Sequence, residues 1–130
     1  MSPVYYKTSE TVVNTEIDFP MSNTLKRIKM LVNKKVVRVS EHGFDRLTRD
    51  NISIHDVIES VINAQIVEDY SDFGKGSSVL VLQFDRNSKP IHVLWGIPKG
   101  HTKPAVIITA YRPDPEKWSY DFLRRNSEEK

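Results

Sequence analysis

The chain has 130 residues, 38% of them hydrophobic and none of them cysteine, with a formal net charge of +2. That length suits one domain with a sizeable core, and the missing cysteines exclude disulfides, thiolate catalysis and thiolate-bound zinc. No apolar run approaches the roughly 20 residues that span a bilayer, and Met1 to Glu10 lacks the basic-then-apolar order of an export signal, so a cytoplasmic protein is expected.

Charge is ordered along the chain. Residues 21–40 carry Lys26, Arg27, Lys29, Lys34, Lys35 and Arg38 with no acid, residues 41–73 are acidic, and residues 74–113 are basic again. Such an order can present a positive face to RNA or to an acidic partner.

Residues 1–20 lack periodicity and are expected as an arm. Ser22 or Asn23 caps a predicted helix to about Asn33, with Leu25, Ile28 and Val32 at helical spacing. Val36 to Val39 is short and β-branched, a predicted strand. Ser40 is a good N-cap for a helix ending near Asp50, with Phe44 and Leu47 as its apolar stripe. Ser53 with Asp56 resembles a capping box, opening a helix that turns Ile54, Val57, Ile58, Val61 and Ile62 inward. These two short helices are expected to form an antiparallel hairpin.

Past Asn63 the period changes from helix to strand. Strands are predicted at 66–70, 78–85, 90–97 and 105–111, with a turn at Arg86–Lys89 and a loop from Pro98 to Pro104. Glu116 to about Arg125 is predicted as a short C-terminal helix. The fold class is α+β: a two-helix hairpin on a four-stranded, mostly antiparallel sheet, with an N-terminal arm and helix. The expected organisation is an arm and basic helix over 1–35, one domain over 36–126 and a tail over 127–130.

Alternation places Ile91, Val93, Trp95 and Ile97 on the core face and His92 on the other. In the last strand it groups Ile107, Thr109 and Tyr111 against Val106, Ile108 and Ala110. Pairing the apolar faces then sets His92 beside Thr109 and Tyr111, a patch able to hold a phosphate and stack on a base. The bland alternative is a polar, solvated strand face. His42 and Arg46 lie four residues apart on one helix face, with Arg49 close by. There the helix N-terminus favours a neutral imidazole and the guanidinium can brace a phosphate. Lys99, His101 and Lys103 form a basic loop suited to backbone phosphate, and Arg112 follows Tyr111. His42, His55, His92 and His101 lack metal-ligand spacing, so neither a metal nor a cofactor is expected.

Ser40-Glu-His42-Gly-Phe-Asp-Arg46-Leu, Ile52-Ser-Ile-His-Asp56-Val, Ile66-Val-Glu-Asp-Tyr70, Pro90-Ile-His92-Val, Ile108-Thr109-Ala-Tyr111-Arg-Pro113 and Trp118 together resemble the bacterial family known as domain of unknown function 4258. The resemblance runs from about Val36 to Arg124. It implies an architecture like the small RelE-like and barnase-like toxin ribonucleases, and a cognate antitoxin protein as partner. It places the family's polar blocks on His42 and Arg46, on His92, and on Thr109 and Tyr111. The basic arm and helix before Val36 depart from shorter members, and Arg49-Asp50-Asn51 stands where a basic-Gly turn is more usual.

The leading expectation is a toxin-like, metal-independent endoribonuclease in which the RNA 2′-hydroxyl attacks the adjacent phosphate. His42 and His92 would share acid and base roles, Arg46 would stabilise the developing charge, and Tyr111 would stack on or hydrogen-bond the nucleotide. Thr109, Arg49, Lys99, His101, Lys103 and Arg112 would contact substrate. One alternative is a non-catalytic module binding RNA or protein through the same face. Another is a structural protein whose residues 1–35 exchange in a homodimer.

Overall fold

The computed structural model describes residues 22–73 and 76–126, so the expected arm, its exchange in a dimer and the tail lie outside the described residues. Among the described residues three helices are each started by a serine in extended backbone. Ser22, Ser40 and Ser53 accept the N–H of Leu25, Gly43 and Asp56, opening α1 (Asn23–Asn33), α2 (Glu41–Arg49) and α3 (Ile54–Ser60). A 3₁₀ turn, Val61–Asn63, continues α3. Its tighter winding swings Ile62 out to 70% exposure, although helical spacing had it inward.

The strands are β1 (Val37–Val39), β2 (Gln65–Phe73), β3 (Gly76–Phe84), β4 (Pro90–Pro98) and β5 (Ala105–Tyr111). They form one five-stranded mixed sheet in the order β1-β5-β4-β3-β2. The four later strands pair antiparallel as expected. β1 adds a fifth strand, parallel to β5, which the four-stranded expectation did not include.

The core lies between one sheet face and the helices. Val79, Val81, Ile91, Val93, Trp95, Ile97, Ile107 and Ala110 meet Leu25, Ile28, Leu31 and Val32 of α1, Leu47 of α2, and Val57 of α3. α1 spans β2 to β5, while α2 packs on β5 and α3 on β3. The basic helix is therefore part of the helix layer, and α2 and α3 are spread over the sheet instead of forming its cover as an isolated hairpin. Gln83 reaches into this core, where it receives the Trp95 indole N–H at 2.8 Å and donates to the Val57 carbonyl at 2.8 Å.

Phe44, expected inward on α2, is 56% exposed, and Gly43 takes its place. A Cβ at Gly43 would lie 2.6 Å from the Ile107 carbonyl oxygen, so the missing side chain lets α2 lie against β5. The predicted C-terminal helix is also absent. Ser119 and Asp121 bind nearby backbone N–H groups of Arg124 and Leu123, local bonds that compete with helix formation. Residues 117–126 instead fold back on themselves: Trp118 bridges Arg125, Ser119 N–H donates to the Arg124 carbonyl, and Asn126 N–H to that of Lys117.

Candidate functional site

Two β-bulges decide which side chains reach the sheet face away from the helices. In β5 the pairing runs Trp95 with Ile107, then Leu94 with Thr109, leaving Ile108 as the extra residue. Strict alternation would have kept Thr109 and Tyr111 with Ile107 on the core face. The extra residue reverses parity, so Ala110 enters the core while Thr109 and Tyr111 turn outward. In β2 the pairing skips Val67, between Ile66 opposite Val81 and Glu68 opposite Leu80. Glu68 and Tyr70 thereby join the outer face as well.

His92 is the centre of this face and is fully buried. Its Nε2 lies 2.8 Å from the Phe122 carbonyl oxygen, which can only accept, so Nε2 carries the proton. Nδ1 then accepts the Tyr111 hydroxyl at 3.1 Å. Trp118 presses against the imidazole, edge to face, with centroids 4.4 Å apart. Burial pushes the His92 pKa below its ordinary value, partly offset by the Phe122 carbonyl, so the ring is neutral. Burial likewise raises the Tyr111 hydroxyl. Tyr70, half-buried and donating to the Glu68 carboxylate, is pushed up to about 12.

Arg46 arrives from α2, which runs beside β5 beyond the end of β1. Ser40 fixes one end of that helix through its N–H on the Ile107 carbonyl and its hydroxyl on the Ile108 carbonyl. Asp50 fixes the other by accepting the Arg112 N–H at 2.9 Å. Arg46 lies between these anchors, and its positive charge bears on Tyr111. Its Nε is buried with no hydrogen-bond partner among the described residues. Orphaned buried donors are uncommon because each costs roughly 1–3 kcal/mol. This one lies in a cationic group whose charge reaches Tyr111, an arrangement that an anion would complete.

The fold thus brings together His92, Thr109 and Tyr111 of the residues singled out in the sequence, with the charge of Arg46 acting on Tyr111 from α2. His42 is exposed on the first turn of α2, one turn before Arg46. Arg49 is exposed and pairs with Asp50 at 3.5 Å. Arg112 is held by Asp85 at 2.9 Å and by the Pro90 carbonyl, so its guanidinium ties strand ends together. Lys99, His101 and Lys103 are exposed in the loop joining the opposite ends of β4 and β5. From His92 to Pro98 the strand covers about 20 Å, so that loop does not border His92 and Tyr111. Sequence reasoning missed Glu68, Tyr70 and Arg125, because a bulge and a non-helical turn carry them there. Among the described residues no three His, Asp or Glu side chains cluster as metal ligands, and no helix is long and apolar enough to cross a membrane.

The model of one protein family, Domain of unknown function (DUF4258), matches residues 39–112. The chain belongs to this family. The match takes in α2, α3 and strands β2 to β5, and with them Arg46, His92, Thr109 and Tyr111 of the DUF4258 domain. α1 precedes it and the segment carrying Trp118, Phe122 and Arg125 follows it. Comparison with curated proteins and with solved structures gave no match.

Proposed function

We propose that the outer sheet face is the reactive surface of a toxin-like, metal-independent endoribonuclease. The observation that carries this reading is the Tyr111 hydroxyl, bound on one side by a sealed, neutral His92 and acted on by the charge of Arg46, whose Nε is unpaired. His92 is too enclosed to touch substrate, so it acts through Tyr111. With the phenolic proton directed at Nδ1, the lone pairs of the Tyr111 oxygen face outward, able to accept from a ribose 2′-hydroxyl.

In this mechanism the 2′-hydroxyl proton moves to the Tyr111 oxygen as the phenolic proton moves to His92 Nδ1. The resulting imidazolium keeps its Nε2–H on the Phe122 carbonyl. The 2′-oxygen attacks phosphorus, Arg46 and the Thr109 hydroxyl steady the phosphorane oxygens, and the 5′-oxygen departs with a proton. His42, exposed one turn from Arg46, supplies that proton as an imidazolium and is left as the neutral ring. The products are a 2′,3′-cyclic phosphate and a 5′-hydroxyl. A cognate antitoxin would act by covering this face.

The test is cleavage of single-stranded RNA, in chelator, by wild type, Tyr111→Phe, His92→Gln, Arg46→Ala and His42→Ala, with DNA as control. Loss of one proton-transfer group typically costs about 10²–10⁴ in rate. Tyr111→Phe and His92→Gln should lower cleavage to a similar degree, with their double mutant no worse than either. Salt-sensitive RNA binding without cleavage under any condition would overturn the reading in favour of a binding module.

A further inference from the structure

We propose that Arg125 is a second phosphate-binding residue of this face, carried there by a C-terminal segment that lies outside the family-matched region. The inference rests on the nucleic-acid reading above. The segment bonds mainly to itself, through the Trp118–Arg125 bridge, the Ser119–Arg124 bond and the Asn126 side chain on the Glu116 carbonyl. It is docked on the sheet at His92, where Trp118 packs on the ring and the Phe122 carbonyl accepts from Nε2. Phe122 takes a positive φ of 63°, which turns the backbone at that contact.

Arg125 stacks over Trp118 with its guanidinium carbon 4.7 Å from the ring centroid. A stacked guanidinium keeps its N–H edge free for in-plane acceptors and is more weakly hydrated than an ammonium. Among the described residues no carboxylate is ion-paired with it. The line Arg125, Trp118, His92, Tyr111 is continuous, with ring centroids 4.4 and 5.3 Å apart along it. Arg125 acts on Tyr111 and His92 from the side of the C-terminal segment, and Arg46 acts on Tyr111 from α2. The segment thereby sets Arg125 along the Trp118–His92–Tyr111 line, so a strand crossing Tyr111 meets this guanidinium in addition to the charge of Arg46, and Arg125 takes a further phosphate.

The experiment uses the full chain and a 2′-O-methyl oligonucleotide, which cannot be cleaved by 2′-attack. Affinity is read by anisotropy across salt concentrations for wild type, Arg125→Ala, Arg125→Lys and Lys117→Ala, with thermal unfolding of each. One phosphate contact on a single strand contributes about 0.7 to the slope of log K against log salt, hence about fivefold in affinity at 0.1 M salt. Arg125→Ala should lose that fivefold and that share of slope, while Arg125→Lys keeps the slope. Lys117→Ala, on the same segment, should keep both. The environment of Trp118 should also change on binding in wild type and not in Arg125→Ala. Equal affinity and slope in wild type and Arg125→Ala would overturn the assignment, whatever the cleavage assay shows. Binding with the expected Arg125 dependence, but no cleavage of unmodified RNA, would overturn only the catalytic reading.

Discussion

His92 makes folding stability depend on pH in a way its neighbours do not. Burial depresses its pKa from the ordinary 6.5, so the native chain keeps the ring neutral where the unfolded chain protonates it. Below pH 6.5 the unfolded state then binds more protons than the native state, and stability falls as pH falls, until the depressed native pKa is reached. From pH 7.5 to 5.5 the unfolded imidazole gains almost one proton, so the loss is at most about 1.4 kcal/mol. His92→Gln removes this contribution while leaving the exposed His42, His55 and His101 in both proteins. The carboxylate of Asp85 does not intrude on this window. Burial pulls its pKa up, but the N–H groups of Lys89 and Asn87 and the Arg112 guanidinium hold it below 3.8. Urea unfolding of wild type and His92→Gln at pH 7.5, 6.5 and 5.5 measures the effect. The variant is less stable at pH 7.5, and the gap narrows by up to about 1.4 kcal/mol at pH 5.5. A gap constant across that range would refute the sealed, neutral imidazole, and with it the relay through Tyr111.

Two other substitutions probe the frame that presents the site. Gln83→Leu strands the Trp95 indole N–H in the core and should cost about 1–3 kcal/mol in denaturant unfolding, with no change in its pH dependence. Gly43→Ala improves helix propensity by about 1 kcal/mol, yet it sets a Cβ 2.6 Å from the Ile107 carbonyl. Its melting temperature should therefore fall, and a rise would show that α2 can lift from β5 freely.

Much of the fold was legible because its signals are local. Ser22, Ser40 and Ser53 announce three helix starts through side-chain chemistry that needs no tertiary context. The alternation around Ile91–Ile97 put His92 off the core face, where it is found. Arg86 to Lys89 turned the chain between β3 and β4 where expected. What escaped depends on pairing. β1 has three residues, and only its parallel register with Ala105–Ile107 makes it part of the sheet. Phe44 and Ile62 lost their inward places to a close backbone approach and to a tightened helical turn, neither of which hydrophobic spacing registers.

The candidate site shows the same division more sharply. Its residue types could be picked out, but the reason that they meet is the extra residue in each of two strands. Without Ile108 as a bulge, Thr109 and Tyr111 would follow Ile107 into the core, and without Val67, Glu68 and Tyr70 would follow Ile66. Pairing apolar faces by simple alternation had Ile108 and Ala110 together, whereas the fold puts Ala110 in the core and leans Ile108 toward Gly96. Each bulge leaves part of a ladder unpaired, a cost that the paired residues on either side offset. The gain is that two β-branched, core-forming strands can each serve both faces along their length. One face keeps an aliphatic core under the helices. The other carries a sealed imidazole with two phenols and a carboxylate, and it is the phenols and the carboxylate that strict alternation would have turned into the core.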